Sequence, residues 1–212
     1  MMIRDWYRKF GKRILDLCLA VPALIVLAIP FVFIALAIKL DSRGPVFFRQ
    51  ERVGKDGRPF ILLKFRTLQQ DSRRGEIDLL AKDDPRITRV GRFLREWGLD
   101  ELPQLWNVVK GDMSLVGPRP TLRYQVERYD AQQRRRLLVK PGITGWALIH
   151  GRNALTWQER IELDLWYVDH VSFFLDLRIL WRTVIVVLRR EGLYGPGGIN
   201  DTFVEPPTKD LS

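Results

Sequence analysis

The feature that most constrains this chain is an uncharged apolar run from Leu17 to Ile38. Its length suits a helix that crosses a bilayer, and it is too long for the apolar region of a signal peptide. Pro22 and Pro30 interrupt the run, and an interior proline kinks or breaks a helix because it removes a backbone hydrogen bond. The run therefore predicts a membrane segment, either one spanning helix or a hairpin that turns near Pro30.

Basic residues flank this run on both sides, and they favour the hairpin. Lys and Arg close to a membrane segment prefer its cytoplasmic side. A spanning helix would place one basic cluster outside, whereas a re-entrant helix-break-helix keeps both inside. An ion pair between Arg13 and Asp16, three residues apart on one helical face, is expected where the chain enters the membrane. Arg13, Asp16 and Pro30 are thus the predicted membrane-anchoring residues.

Charge and cysteine content narrow the class of function. A net charge of +10 and a pI of about 10.1 indicate an acidic partner, which is a nucleic acid, an anionic membrane or a phosphorylated substrate. The single cysteine, Cys18, excludes an intramolecular disulfide. With only two histidines beside it, a structural zinc site is not expected.

The rest of the sequence predicts an α+β, mainly helical fold. A small β-hairpin is expected from strands at 46–53 and 60–65 around a glycine-containing turn. Helical patterns occupy 87–97, 100–109, 121–138, 156–168 and 175–190. The last two are amphipathic, and 175–190 has the basic and aromatic residues of an interfacial helix; packing of its apolar stripe on the core is the alternative.

Three regions follow from these patterns. We expect a basic N-terminal segment with the re-entrant helix at 1–39, a cytoplasmic domain at 40–190, which contains the candidate catalytic residues considered next, and a loosely ordered tail at 191–212.

The pair Asp100-Glu101 is the main candidate for chemistry. An Asp before an apolar helix is most often an N-cap, and a neighbouring Glu complements the helix dipole. A helix start also offers free amides that hold phosphate oxygens, so capping and a phosphate site are compatible.

Longer motifs around the pair change its interpretation. They are Gly44-Pro45-Val46-Phe47-Phe48-Arg49-Gln50, Lys64-Phe65-Arg66-Thr67, Leu99 to Val108, Lys110 to Pro120 and Pro141-Gly142-Ile143-Thr144-Gly145-Trp146. In this order, from about Lys12 to Arg190, the chain closely resembles the bacterial sugar transferase family, the monotopic phosphoglycosyl transferases, in its minimal form. In one place it departs from the family: many members have Ser-Pro where Ile29-Pro30 stands here.

The resemblance implies a specific reaction. Members transfer a phosphosugar from a UDP-sugar to a polyprenol phosphate, usually undecaprenyl phosphate, release UMP and need Mg²⁺. The family's Asp-Glu dyad corresponds to Asp100 and Glu101, with the Asp as nucleophile of a covalent intermediate, the Glu assisting and both as metal ligands. The implied location is the bacterial inner membrane, monotopic, with the catalytic domain on the cytoplasmic face among phospholipids.

Further residues are candidates for substrate binding or support. Lys64, Arg66, Arg119 with its neighbour Pro118, and Arg152 are expected to bind phosphates or the nucleotide; solvated arginines and a strand end are the alternatives. Asp164 and Asp176 match acidic positions of the family and are expected to support Mg²⁺ or orient basic residues, with salt bridges on a helix face as the alternative.

Two other functions remain open at this stage. A basic, non-enzymatic membrane-surface or nucleic-acid-binding protein would explain the charge and the apolar run but leaves the dyad unexplained, so no nucleic-acid partner is expected. A spanning glycosyltransferase would release UDP instead of UMP. The sequence leaves the sugar, the pathway and the oligomeric state open.

Overall fold

A computed structural model describes residues 5–69 and 84–192. After a π-helical turn at Tyr7–Gly11, its helices and strands are α1 (Lys12–Asp41), β1 (Phe47–Val53), β2 (Pro59–Phe65), α2 (Arg89–Glu96), α3 (Gln104–Lys110), β3 (Ser114–Val116), α4 (Arg123–Glu127), β4 (Gly142–Thr144), α5 (Trp146–Ile149), α6 (Trp157–His170) and α7 (Phe173–Leu188). Short 3₁₀ turns lie at Lys55–Gly57, Leu99–Glu101, Gln133–Leu138 and Arg152–Ala154. The fold is mainly helical, as predicted; residues 70–83 and the predicted tail beyond residue 192 lie outside the described residues.

The apolar run forms α1, which is long and apolar enough to cross a membrane by length and composition. At about 1.5 Å per residue its 30 residues extend roughly 45 Å if straight. Pro22 and Pro30 both lie inside this helix, which is assigned as one element, so the helix-break-helix form stays a prediction. Its middle is largely exposed, with Ile25, Val26 and Ile29 each more than two thirds exposed.

The N-terminal end of α1 binds the domain through Arg13. Its guanidinium donates to the carbonyls of Val108 at 2.5 Å and Val109 at 2.7 Å, in the last turn of α3. Carbonyls in a last helical turn lack intrahelical partners and attract cations.

Asp16 binds a different element. It is buried and accepts from the Ser114 hydroxyl at 2.9 Å and the Leu115 amide at 2.8 Å in β3. Arg13 and Asp16 therefore bind the domain and not each other, and the predicted ion pair between them is wrong. The reason is that tertiary partners with unpaired backbone groups outweigh a local pairing on one helix face.

The C-terminal end of α1 contacts the same domain. The Asp41 carboxylate accepts from the Val90 amide at 2.9 Å, at the start of α2. The buried Arg66 guanidinium donates to the carbonyls of Ser42 at 2.8 Å and Ile38 at 3.4 Å, and also to that of Arg43. Both ends of the apolar helix are thus fixed to one folded unit.

The predicted β-hairpin is confirmed. β1 and β2 pair antiparallel, with Phe47 opposite Phe65 and Val53 opposite Pro59. Gly57 in the connecting turn has a φ of 76°, which glycine adopts without steric penalty. The side chain of Asn107 in α3 accepts from the Leu63 amide at 3.1 Å and donates to a neighbouring carbonyl of β2, so α3 is fixed to the edge of the hairpin.

A second, parallel pair of strands was not predicted. β3 and β4 pair with Ser114 opposite Gly142 and Val116 opposite Thr144. The backbones approach so closely that a Cβ on Gly142 would lie 2.1 Å from the Gly117 nitrogen. Gly117 and Gly142 thus allow the motif that ends at Pro120 and the motif that begins at Pro141 to meet in space.

The predicted helix over 121–138 is wrong. α4 ends at Glu127, and a separate 3₁₀ segment occupies Gln133–Leu138. Tyr129, between these two elements, and Arg136, in the second, are both buried. The Arg136 guanidinium packs over the Tyr129 ring and donates to its hydroxyl. Tertiary burial of these two side chains overrides the helical preference of a charged segment.

The helices α6 and α7 confirm the last two predicted helices. Thr156 caps α6 by accepting from the Glu159 amide, and Glu159 bonds back to Thr156. α7 buries Asp176, Ile179 and Val186 but exposes an apolar face. That exposed face consists of Phe174, Leu177, Trp181, Val184 and Leu188.

Candidate active site

The Asp100-Glu101 pair lies in a short connection between α2 and α3. Gly98 has a φ of 64°, and the 3₁₀ turn Leu99–Glu101 follows it. Because this left-handed conformation suits glycine, the chain reverses here without a steric penalty. α3 begins at Gln104, so the two carboxylates precede the helix and are not inside it.

Two basic side chains hold Glu101. Lys64, on β2, donates to Glu101 Oε1 at 2.9 Å, and Arg119 donates to the same oxygen at 3.2 Å. Lys64 and Glu101 are less than one fifth exposed, whereas Arg119 is nearly half exposed. The hairpin and the segment after β3 therefore meet at one carboxylate, and the more buried Lys64 contact is the stronger of the two.

Asp100 differs from its neighbour. Within the part of the chain that the structure describes, its carboxylate makes no hydrogen bond or ion pair, and it is half-buried. It is nevertheless close enough to Lys64, Arg95 and Arg119 for their charges to act on it. A carboxylate that is near cations but bonded to none is free to attack an electrophile.

The pKa values of the two carboxyls move in opposite directions. Burial raises the pKa of Asp100; the charge of Lys64 opposes this rise and the carboxylate of Glu101 reinforces it. Burial would also raise the pKa of Glu101, but Lys64 and Arg119 outweigh it and hold that pKa well below its usual range. Glu101 thus carries its charge throughout the physiological range, and Asp100 is the group that titrates at higher pH.

A shallow cleft adjoins the pair. The space between its walls amounts to about 370 Å³ with open solvent included, and those walls include Gly117, Arg119, Thr144, Arg152, Arg160 and Asp164. Arg119 contributes to both the cleft and the Glu101 contact. The charge of Arg152 also acts on Asp100 and Glu101. The sequence-predicted residues Lys64, Arg119, Arg152 and the two carboxylates therefore lie together.

The family model of bacterial sugar transferases matches residues 7–190. The chain belongs to the bacterial sugar transferase family.

Curated relatives agree with this assignment. An uncharacterized sugar transferase, EpsL, of Bacillus subtilis (strain 168) is 50% identical over 182 residues, which cover 86% of this chain and 89% of the relative. The undecaprenyl-phosphate galactose phosphotransferase of Salmonella typhimurium is 40% identical, covering 88% of this chain but 42% of the relative.

The UDP-glucose:undecaprenyl-phosphate glucose-1-phosphate transferase of Xanthomonas campestris is 42% identical, covering 90% of this chain and 41% of the relative. The sugar transferase therefore spans about two fifths of the length of these last two relatives.

Not every predicted site residue of this sugar transferase lies beside the dyad. Arg66 binds the carbonyls at the end of α1, as described above, and is not among the contacts of Asp100 or Glu101. Pro118 contributes its carbonyl to the Gly142 amide at 2.8 Å, which joins the β3 and β4 segments. Both residues position the strands and helix that surround the site.

Asp164 and Asp176 are the two predicted supporting acids. Asp164 is buried against Arg136 at 2.5 Å, on the wall of the cleft. Asp176 is fully buried and accepts from Tyr7 at 2.6 Å, Tyr167 at 2.7 Å and Lys12 at 2.6 Å, which joins α7 to the start of α1.

The donor set of the dyad fits Mg²⁺ that is shared with a substrate. Mg²⁺ takes oxygen ligands and is usually held by one or two carboxylates together with substrate phosphates. Asp100 and Glu101 supply adjacent carboxylates, and Asp100 has no competing cation bonded to it. Among the described residues no group of three or more His, Cys, Asp or Glu side chains forms a closed metal cage.

Sequence reasoning missed several residues that build the site of this sugar transferase. Arg136 is buried and pairs with Asp164, and it also donates to the Arg119 carbonyl at 3.4 Å. Lys12, counted only among the flanking basic residues, binds the buried Asp176. In sequence these residues lie in basic runs that look like solvated faces, and no local pattern separates a buried arginine from an exposed one.

Proposed function

We propose that this sugar transferase moves a sugar-1-phosphate from a UDP-sugar to a polyprenol phosphate such as undecaprenyl phosphate and releases UMP. The printed names of the Salmonella and Xanthomonas relatives describe transfers of this kind. The observation that carries the proposal is the unbonded Asp100 carboxylate beside Glu101, which Lys64 and Arg119 hold in place.

The reaction proceeds by two displacements at one phosphorus atom. An Asp100 oxygen attacks the phosphorus that bears the sugar, and the phosphoanhydride bond breaks with its electron pair on the UMP oxygen. An oxygen of the polyprenol phosphate then attacks the same phosphorus and restores the Asp100 carboxylate. Both nucleophiles are anions near neutral pH, so no proton has to be moved for either step.

The chain's own residues prepare this site. Lys64 and Arg119 place positive charge where the diphosphate has to lie, and they keep Glu101 ionised. When bound by Asp100, Glu101 and the donor's phosphate oxygens, Mg²⁺ would neutralise charge on the diphosphate. If this holds, chelation of divalent cations stops the reaction and added Mg²⁺ restores it.

We also propose that α1 enters and leaves the cytoplasmic leaflet of the inner membrane as a re-entrant hairpin. A cytoplasmic domain can contact only one end of a helix that spans the membrane, because the other end lies roughly 30 Å away across the hydrocarbon. Here Arg13 and Asp16 at one end and Asp41 at the other all bind the same domain. The exposed apolar face of α7 then lies at the headgroup level.

The first experiment measures nucleotide release by detergent-solubilised protein with Mg²⁺, undecaprenyl phosphate and a panel of UDP-sugars that includes glucose, galactose and N-acetylgalactosamine. UMP release that Asp100→Asn abolishes supports the proposal. Release of UDP would identify simple glycosyl transfer instead, and full activity of the Asp100→Asn protein would exclude this residue as nucleophile.

Cysteine accessibility at positions 5 and 45 tests the hairpin. Both positions have to be labelled from the cytoplasmic side, and labelling from opposite sides would show a spanning helix.

A further inference from the structure

The Gly151-Arg152-Asn153 turn presents an arginine at the edge of the cleft. Arg152 is half-buried and lines the cleft together with Arg119 and Arg160. Among the described residues its guanidinium has no hydrogen-bond or ion-pair partner. A partly desolvated arginine without a protein partner is suited to bind an anionic ligand, because its planar group donates several hydrogen bonds to phosphate oxygens.

The turn is held in an unfavourable backbone conformation. Arg152 has a φ of 53°, which is uncommon for a residue with a side chain. Two contacts fix it: Arg160 in α6 donates to the Arg152 carbonyl at 3.2 Å, and the Asn153 amide donates to the Gly192 carbonyl at 3.1 Å. The position of Arg152 is thus set by two separate parts of the chain, which is typical of a pre-organised binding residue.

The cleft offers an anion a positive environment. Its acidic side chain, Asp164, is already paired with the buried Arg136 and lies against it at 2.5 Å. The arginines that line the cleft therefore face an acid whose charge is largely neutralised. A negatively charged group that enters the cleft meets net positive charge.

We propose that Arg152 binds the phosphate of the departing nucleotide, the group that becomes the phosphate of UMP. This inference rests on the proposed function, because it takes the donor to be a UDP-sugar. Once the sugar-bearing phosphorus lies against Asp100, the second phosphate of the diphosphate is one bridging oxygen away. Arg152 lines the same cleft as Arg119, and Arg119 donates to Glu101 at 3.2 Å, so Arg152 lies on the cleft side of the dyad, where that second phosphate would enter.

The role of Arg152 follows from the bond that breaks. When Asp100 attacks, the bridging oxygen keeps the electron pair and negative charge grows on the nucleotide phosphate. A guanidinium placed at this phosphate stabilises the developing charge. Arg152 therefore acts on the leaving group, whereas Lys64 and Arg119 hold the dyad.

The test compares the affinity of UMP with that of uridine, each titrated into full-length detergent-solubilised protein by calorimetry. Arg152→Asn removes the guanidinium but keeps a residue that tolerates a left-handed backbone. We expect it to weaken UMP binding roughly 10- to 100-fold, as loss of a charged hydrogen bond does. Uridine, which has no phosphate, should bind as before, and Arg152→Lys should lie between. Arg134→Asn, at an exposed arginine outside the cleft, is the matched control.

Four results would overturn this inference. Equal weakening of UMP and uridine would mean that the turn supports the fold or the base. Unchanged UMP affinity with a raised KM for undecaprenyl phosphate would assign Arg152 to the acceptor phosphate. Absence of UMP binding by the native protein would remove the nucleotide donor, and with it the proposed function; UMP binding that is indifferent to Arg152 would remove the inference alone.

Discussion

Asp176→Asn should lower stability much more than activity. Asp176 is fully buried and accepts from Lys12, Tyr7 and Tyr167, so the substitution leaves the Lys12 ammonium without its counter-charge. Breaking a buried ion pair by changing one partner costs about 3–5 kcal/mol, and because Asn retains some hydrogen bonding we expect roughly 3 kcal/mol. In a protein of this size that corresponds to a fall in Tm of about 6–12 °C.

The assay follows Tm by thermal unfolding in detergent and UMP release well below both Tm values. UMP release per folded molecule should stay within about twofold of the native rate, because Asp176 contacts neither member of the dyad. Asp169→Asn is the matched control. It breaks an ion pair with Arg135 in which both side chains are more than two fifths exposed, and it should cost less than about 1 kcal/mol.

Two results would refute this reasoning. A Tm shift below about 2 °C would show that the buried pair adds little to stability. Loss of activity at unchanged Tm would show that Asp176 supports the metal or the chemistry, which is the role that the family resemblance implied.

Three further predictions concern the site and the helices. Protonation of Asp100 should cause the acid limb of the pH profile of kcat/KM, and this limb should lie above the pH at which an ordinary aspartate titrates. Lys64→Met removes a positive charge that lowers the pKa of Asp100, so the limb should move to higher pH. A limb that does not move would contradict the assignment to Asp100. Thr156→Ala removes the cap of α6 and should cost about 1 kcal/mol, seen as a fall in Tm of roughly 2–4 °C with normal activity. Gly142→Ala places a Cβ 2.1 Å from the Gly117 nitrogen, which should prevent β3 from pairing with β4. Little folded protein should then be recovered, and a wild-type yield and Tm would contradict this prediction.

Local patterns predicted much of the fold. The hairpin followed from two apolar segments around a glycine turn, and it is present with that order. The helices at Trp157–His170 and Phe173–Leu188 followed from their apolar periodicity. These elements are determined by residues close in sequence, which is why sequence reasoning finds them.

Long-range contacts were beyond that reasoning. The β3–β4 pair has strands of three residues, too short for any alternation to show. Helical spacing predicted an ion pair between Asp16 and Arg13, but the partners of Asp16 are Ser114 and Leu115, which lie about a hundred residues later in the sequence. Only the fold brings such groups together, and a buried partner then outweighs a neighbour on the helix surface.

The candidate site was predicted by motif and not by geometry. Asp100, Glu101, Lys64 and Arg119 were named from the sequence, and the structure brings them together. The sequence does not reveal that Lys64 and Arg119 both bind Glu101 while the Asp100 carboxylate remains unbonded. That difference depends on how β2 and the segment after β3 approach the turn at Leu99–Glu101.

The attachment of α1 at both ends limits how this enzyme can be shortened. Arg13 satisfies carbonyls of α3, Asp16 satisfies an amide of β3, and Ala20 and Ile38 complete two parts of the core. Deletion of α1, the helix that contains the apolar segment, would remove these partners from the Val109 carbonyl and the Leu115 amide and would open both parts of the core to water. A water-soluble version would therefore have to replace the exposed middle of the segment, around Ile25 to Ile29, and retain both of its ends.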